Sequence, residues 1–145
     1  MTDPTTLLAL ADRCEQAAGP DRELDVAIAR ALGWKPLYRD DYSKWWPPAA
    51  VEDSRARKRS ILHHPTQPLP AFTASLDAAV TLVPEGCDWH CQSNPSVTAC
   101  WASVSPVKRG IELLEWGSGM RRASTPALAL CAAALRARAA MAEHS

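Results

Sequence analysis

The chain has no net charge: 16 lysines and arginines balance 16 aspartates and glutamates. A field covering the whole surface is therefore absent, and recognition of an anion has to come from a local cluster. The opening stretch MTDPTTLLALADRCEQ lacks a basic leader and turns charged too soon for a secretory signal or a membrane span. With a cytoplasmic, reducing setting expected on that ground, the odd count of five cysteines reads as free thiols rather than a disulfide framework. The lysine-containing phosphate loop of NTP-hydrolysing proteins is missing. So are a structural zinc spacing, a nucleophile motif, a pair of catalytic carboxylates and any internal repeat. Phenylalanine is almost missing as well, Phe72 standing alone against six tryptophans and twelve prolines.

What is present suits a single domain of 145 residues, long enough for one core without a metal or disulfide staple. TDPTTLLALADRCEQAAG reads as a helix, with Leu7, Leu8, Ala11 and Cys14 at three- and four-residue spacing. Gly19-Pro20 breaks it, and Pro20 suits the first turn of a second helix. That helix, DRELDVAIARALG, carries the stripe Leu24, Ala27, Ile28, Ala31 and Leu32, has Asp21 and Glu23 at its positive end, and stops at Gly33.

Residues 35–68 form an irregular Trp/Pro/Arg-rich insertion without sustained periodicity, with a helical turn predicted near Ala49 to Arg59. TASLDAAVTLVPEG, with Thr73 and Ser75 as caps, predicts a short helix burying Leu76, Ala79, Val80 and Val83. Three strands are expected at CDWHCQS, VTACWASVS and GIELLEWG, each with one tryptophan (Trp89, Trp101, Trp116) available to cover a common face. STPALALCAAALRARAAMAEH closes the series as an alanine-rich helix with Thr125 as cap and Pro126 at its first position. The segregation of helices and strands predicts an α+β fold around an antiparallel sheet of about three or more strands.

Three phrases together, LADRCEQAAGPDRELDVAIARALGW, LPAFTASLDAAVTLVPEG and STPALALCAAALRARA, resemble the phage ABA-sandwich domain family. The resemblance spans roughly residues 5–34 and 69–140 and leaves 35–68 unmatched. It implies helices packed on both faces of the antiparallel sheet, an α/β/α sandwich, and a phage source, with the host cytosol as the expected compartment. It brings no catalytic residues with it. Small accessory phage proteins often bind a host factor or signal, and some sequester nucleotide immune messengers.

Two segments carry candidate ligand chemistry. In GSGMRRASTPALAL, Gly117 and Gly119 would let a ligand approach the backbone, with Arg121, Arg122, Ser124 and Thr125 as donors around a helix start that favours anions. The alternative is a hairpin-to-helix connection whose glycines only permit the turn. In the insertion, Tyr38, Tyr42, Trp45 and Trp46 precede Arg55, Arg57, Lys58 and Arg59, with His63 and His64 after them. Aromatic faces stack on bases and guanidiniums pair with phosphates, so the mixture suits a nucleotide. Its alternative is a Trp-Pro plug over the sheet followed by a solvated basic helix end.

Cys87, His90 and Cys91, with Cys100, His63 or His64, have zinc-binding atom types. Strand alternation would nonetheless put both cysteines on one face and His90 on the other, and no metal or other cofactor is expected. His63 or His64 beside an anion held by Arg121 would suit a metal-independent phosphodiesterase, without a residue signature behind it. The expectation is a homo-oligomeric binder of a small anionic ligand, such as a nucleotide-derived host immune signal held without cleavage. A structural or protein-interaction accessory of a phage is the alternative. Neither duplex nucleic acid nor a membrane is an expected partner.

Overall fold

Asp3 lies in extended backbone geometry and its carboxylate accepts the Thr5 N–H, while Pro4 supplies a helical φ; together they start α1, Pro4–Gln16. The structure, a computed structural model, describes residues 3–39, 41–94, 96, 99–106 and 120–144. Leu7, Leu10, Ala11 and Cys14 form the buried face of α1. Asp21, rather than Pro20, opens α2, Arg22–Ala31: its carboxylate accepts from Glu23 N and Leu24 N, leaving the proline outside the cap. Gly33 ends that helix at φ 98°, a backbone region that favours glycine.

The stretch expected to be irregular is built from short elements. β1, Lys35–Pro36, pairs antiparallel with β2, Trp45–Trp46, and Trp45 also exchanges both backbone hydrogen bonds with Gln67. α3, Pro48–Arg57, buries only Ala50 and stops where Lys58 turns left-handed at φ 53°. One 3₁₀ turn follows at Ile61–His63. Trp45 and Trp46 are buried, and each indole N–H is satisfied by a carbonyl, that of Asp41 at 2.7 Å and that of His64 at 3.0 Å.

α4, Leu76–Val80, is capped by Ser75, whose Oγ accepts Ala78 N. Leu76, expected on its apolar face, is exposed; Ala79 is the buried residue of the helix, and Leu82 is buried just beyond its end. Gly86, at φ 83°, turns the chain into β3, Cys87–Asn94, which pairs with β4, Ala99–Pro106, and β4 pairs with β5, Arg121–Ala123, all antiparallel. The strand expected at GIELLEWG lies outside the described residues. β5 instead occupies part of the segment read as a turn and helix start.

Register corrects the grouping of the tryptophans. Trp89 opposes Val104 and Gln92 opposes Trp101, so Trp89 and Trp101 point to opposite faces of the sheet. Trp116 lies outside the described residues. Cys100, Ala102, Val104 and Ala123 are buried on the inner face. The outer face carries His90, Gln92, Trp101, Ser103 and Arg122, all exposed or half-buried.

α5, Pro126–His144, lies against the inner face. Thr125 caps it, its hydroxyl accepting Leu128 N and its carbonyl accepting Ala129 N. Every residue from Ala127 to Leu135 is buried, as are Ala137 and Ala139. A helix apolar around its whole circumference needs neighbours on all sides, and α1 and α4 pack on it along with all three strands of the larger sheet. Alanines keep those neighbours close. The chain is thus α+β, with five helices, a two-stranded and a three-stranded antiparallel sheet among the described residues. No helix among them is long and apolar enough to cross a membrane.

Candidate functional site

Glu23, Val26 and Arg30 recur at helical spacing along α2, which places them on one flank of that helix. Opposite them runs the loop between β1 and β2. Asp41 shapes this loop: its Oδ1 accepts Ser43 N at 2.8 Å and Ser43 Oγ at 2.6 Å, while its carbonyl accepts the Trp45 indole N–H. The Ser43 hydroxyl, then the Ser43 N–H, hold the Asp41 carboxyl below its ordinary pKa. Glu23, Val26, Arg30, Asp41, Tyr42 and Trp45 line a cavity of about 200 Å³ between helix and loop.

Two guanidiniums stack on the aromatic rings here. Arg22 lies 5.2 Å from the centroid of Tyr42, and Arg30 lies 5.6 Å from that of Trp45. Arg22 is further fixed by Asp25 Oδ2 at 3.0 Å and by the carbonyls of Leu69 and Pro70. Arg30 projects from the last turn of α2 and also lines a second cavity of about 380 Å³, together with Pro48, Val51, Glu52 and Arg55. One arginine therefore belongs to both cavities, the first rich in aromatic faces and carboxylates, the second carrying another guanidinium.

The chemistry follows from these groups. Two carboxylates and a single lining arginine make the first cavity unfavourable for a phosphate. They favour a planar group with N–H donors, which Tyr42 and Arg30 can stack and Glu23 and Asp41 can accept from. Its volume is below that of a pocket for a whole drug-sized ligand, so it fits a fragment the size of one base. Arg30 and Arg55 at the second cavity suit the anionic remainder of the same ligand.

The residues expected from sequence are divided by the structure. Tyr42 and Trp45 line the first cavity; Trp46 is buried but does not line it, its indole N–H donating to the His64 carbonyl. Arg57 pairs with Asp53 at 2.9 Å, as does His64 at 3.0 Å. Arg59 and His63 are exposed.

The residues around the start of α5 have other partners. Arg121 Nε donates to Glu15 Oε1 at 2.6 Å, Ser124 Oγ donates to the Ala17 carbonyl at 2.9 Å, and Thr125 caps the helix. Arg122 lies over Trp101 at 5.8 Å. Gly117 and Gly119 lie outside the described residues. No hydrogen bond, ion pair or ring contact among the described residues joins these groups to Tyr42 or Trp45.

Alternation along β3 places Cys87 and Cys91 on the inner side and His90 on the outer, where its Nε2 is 3.3 Å from Gln92 Oε1. Among the described residues no group of three or more His, Cys, Asp or Glu side chains is placed to hold a metal ion. Glu23, Arg30 and Asp41 escaped the sequence reading because they look like an ordinary solvated helix flank and turn. The i, i+3, i+7 spacing of Glu23, Val26 and Arg30 was the signal available. Comparisons with protein-family models, with curated proteins and with solved structures found no match to the chain.

Proposed function

We propose that the chain is a small-molecule-binding protein that captures a nucleotide, with the base in the Tyr42–Trp45 cleft and the phosphates toward Arg30 and Arg55. The observation that carries this reading is the position of Arg30, shared by the two cavities and stacked on Trp45. Joined to the resemblance to the phage ABA-sandwich family, the reading becomes sequestration of a nucleotide-derived host immune signal in the infected cytosol. Capture without cleavage is favoured because His64 pairs with Asp53 and the exposed His63 lines neither cavity.

Isothermal titration against mononucleotides and cyclic dinucleotides tests this, with the bound material released by heat and identified by mass. Tyr42→Ala and Arg30→Met are each expected to weaken binding at least about fivefold, the lower end for loss of a base stack. Retention of no nucleotide, or full affinity in Arg30→Met, overturns the reading. Recovery of a cleaved product converts it into the phosphodiesterase reading.

One observation favours a second reading, an interaction protein. The outer sheet face presents half-buried Trp101 and exposed Met120 around an open depression of about 580 Å³. Under that reading a partner would supply the second helical layer that the resemblance implies, and a second copy of the chain would make the homo-oligomer. Sedimentation of the wild type against Trp101→Lys tests it. A change of mass in the variant is the supporting result, and a monomer in both removes the self-association.

A further inference from the structure

Arg138, Met141 and Ala142 share one face of α5 by their i, i+3, i+4 spacing, and that face forms one side of an open cavity that meets the Arg30–Arg55 cavity only at Leu32. The cavity measures about 340 Å³, and Leu7, Leu32 and Pro84 supply the rest of its apolar wall, with Glu85 beside them. Arg138 is half-buried there. Its Nε donates to the Leu82 carbonyl at 2.7 Å, which anchors the planar group by one edge. Nη1 and Nη2 have no hydrogen-bond partner among the described residues, yet they are not sealed off. The one buried side-chain polar atom without a partner in that set is Arg136 Nε, in another network.

Four arginines have anionic partners: Arg22 has Asp25, Arg57 has Asp53, Arg121 has Glu15, and Arg136 has Asp12 and Glu15. Arg138 has none among the described residues. Glu85 lines the same cavity without reaching ion-pairing distance. Burial lowers the Arg138 pKa from its ordinary value, with the nearby Cys87 acting weakly in the opposite direction. A guanidinium anchored on one edge presents its two terminal nitrogens as a fork, and a carboxylate is the group that meets such a fork with two parallel hydrogen bonds.

We propose that this cavity binds a small amphipathic monocarboxylate, its head paired with the Arg138 fork and its apolar body laid against Leu7, Leu32 and Met141. The volume is at the low end for ligand pockets, which limits the body to a short aliphatic or single-ring group. Glu85 acts against binding by like charge and sets a modest affinity.

Calorimetric titration of the full chain with butanoate, hexanoate and octanoate is the test, with octan-1-ol as the uncharged control. Affinity should rise about fourfold per methylene that enters the cavity, and octan-1-ol should bind at least tenfold more weakly than octanoate. Arg138→Gln, which keeps a donor for the Leu82 carbonyl, should lose at least tenfold for octanoate. Glu85→Gln should gain about two- to fivefold, and as a surface change it reports on the site even if the Arg138 variant folds poorly. Equal binding of octanoate and octan-1-ol, no dependence on chain length, or no response to Glu85→Gln overturns the proposal. Leu32 lines both this cavity and the Arg30–Arg55 cavity, so the sites are separated by Arg138→Gln, which should leave nucleotide affinity unchanged.

Discussion

Thr73 and Asp25, separated by 48 positions in sequence, share two hydrogen bonds: the Thr73 N–H and hydroxyl both reach Asp25 Oδ1 at 2.8 Å. Both residues are fully buried, and Arg22 holds the other carboxylate oxygen at 3.0 Å. The pair ties α2 to the turn that leads into α4, next to Arg22, whose guanidinium lies over Tyr42. Thr73→Val keeps the shape and the N–H bond but removes the hydroxyl from a buried charge. It should cost about 1.5–3 kcal/mol, read as a lower urea midpoint with an unchanged slope. A loss below about 0.5 kcal/mol would mean that the hydroxyl bond is replaced by water.

Glu15 joins two arginines from distant parts of the chain, Arg121 through Oε1 and Arg136 through Oε2. Its side chain is only 16 % exposed and that of Arg136 18 %, so this network is nearer a buried ion pair than a surface one. Glu15→Ala leaves Arg121 without its carboxylate and Arg136 with the exposed Asp12 alone, and should destabilise by about 2–4 kcal/mol. Asp12→Ala should cost much less, because that carboxylate is 60 % exposed. Thermal unfolding of the two variants side by side gives the order, and a reversed order would refute it.

The central helix should respond to volume in both directions. Leu130→Ala removes a fully buried side chain and should cost about 2–5 kcal/mol. Ala134→Leu inserts one where there is no room and should cost about 1–3 kcal/mol. Chemical denaturation measures both. A neutral Ala134→Leu would show slack around α5 that its complete burial denies.

Asp41 gives a pH signature to the cleft. A carboxyl held below its ordinary 3.8 adds stability that is present above that pH and lost as pH falls through the lowered value. The Asp41 carboxyl resonance should therefore titrate below 3.8 in the wild type. In Ser43→Ala it should move up toward that value without reaching it, since the Ser43 N–H bond remains. An unmoved midpoint would remove the hydroxyl as the leading cause.

Much of the fold was legible because single residues mark its borders. Thr125 and Pro126 start α5 where their chemistry predicts, and Gly33 ends α2. β1 and β2 were not legible, since two-residue strands have no period to detect and one contains Pro36. β5 was hidden by Arg121 and Arg122, which read as anion donors; the pattern lies in their pairing with β4, which no local window contains. Trp89 and Trp101 were grouped wrongly for the same reason, as a register fixes which face each residue takes. In the candidate site, Tyr42 and Trp45 stood out by residue type. Arg30, Glu23 and Asp41 did not, because only tertiary structure brings a polar helix flank against a turn.

The placement of α5 has a consequence for how the molecule is made. It comes last among the described elements, yet α1, α4 and all three strands of the larger sheet rest on it. Until Leu135 has left the ribosome, those earlier elements have no common surface to condense upon, so structure should arrive late and together rather than progressively. Nascent chains stalled before Pro126 should be cut throughout by protease, while those extended past His144 and clear of the exit tunnel should become resistant in one step.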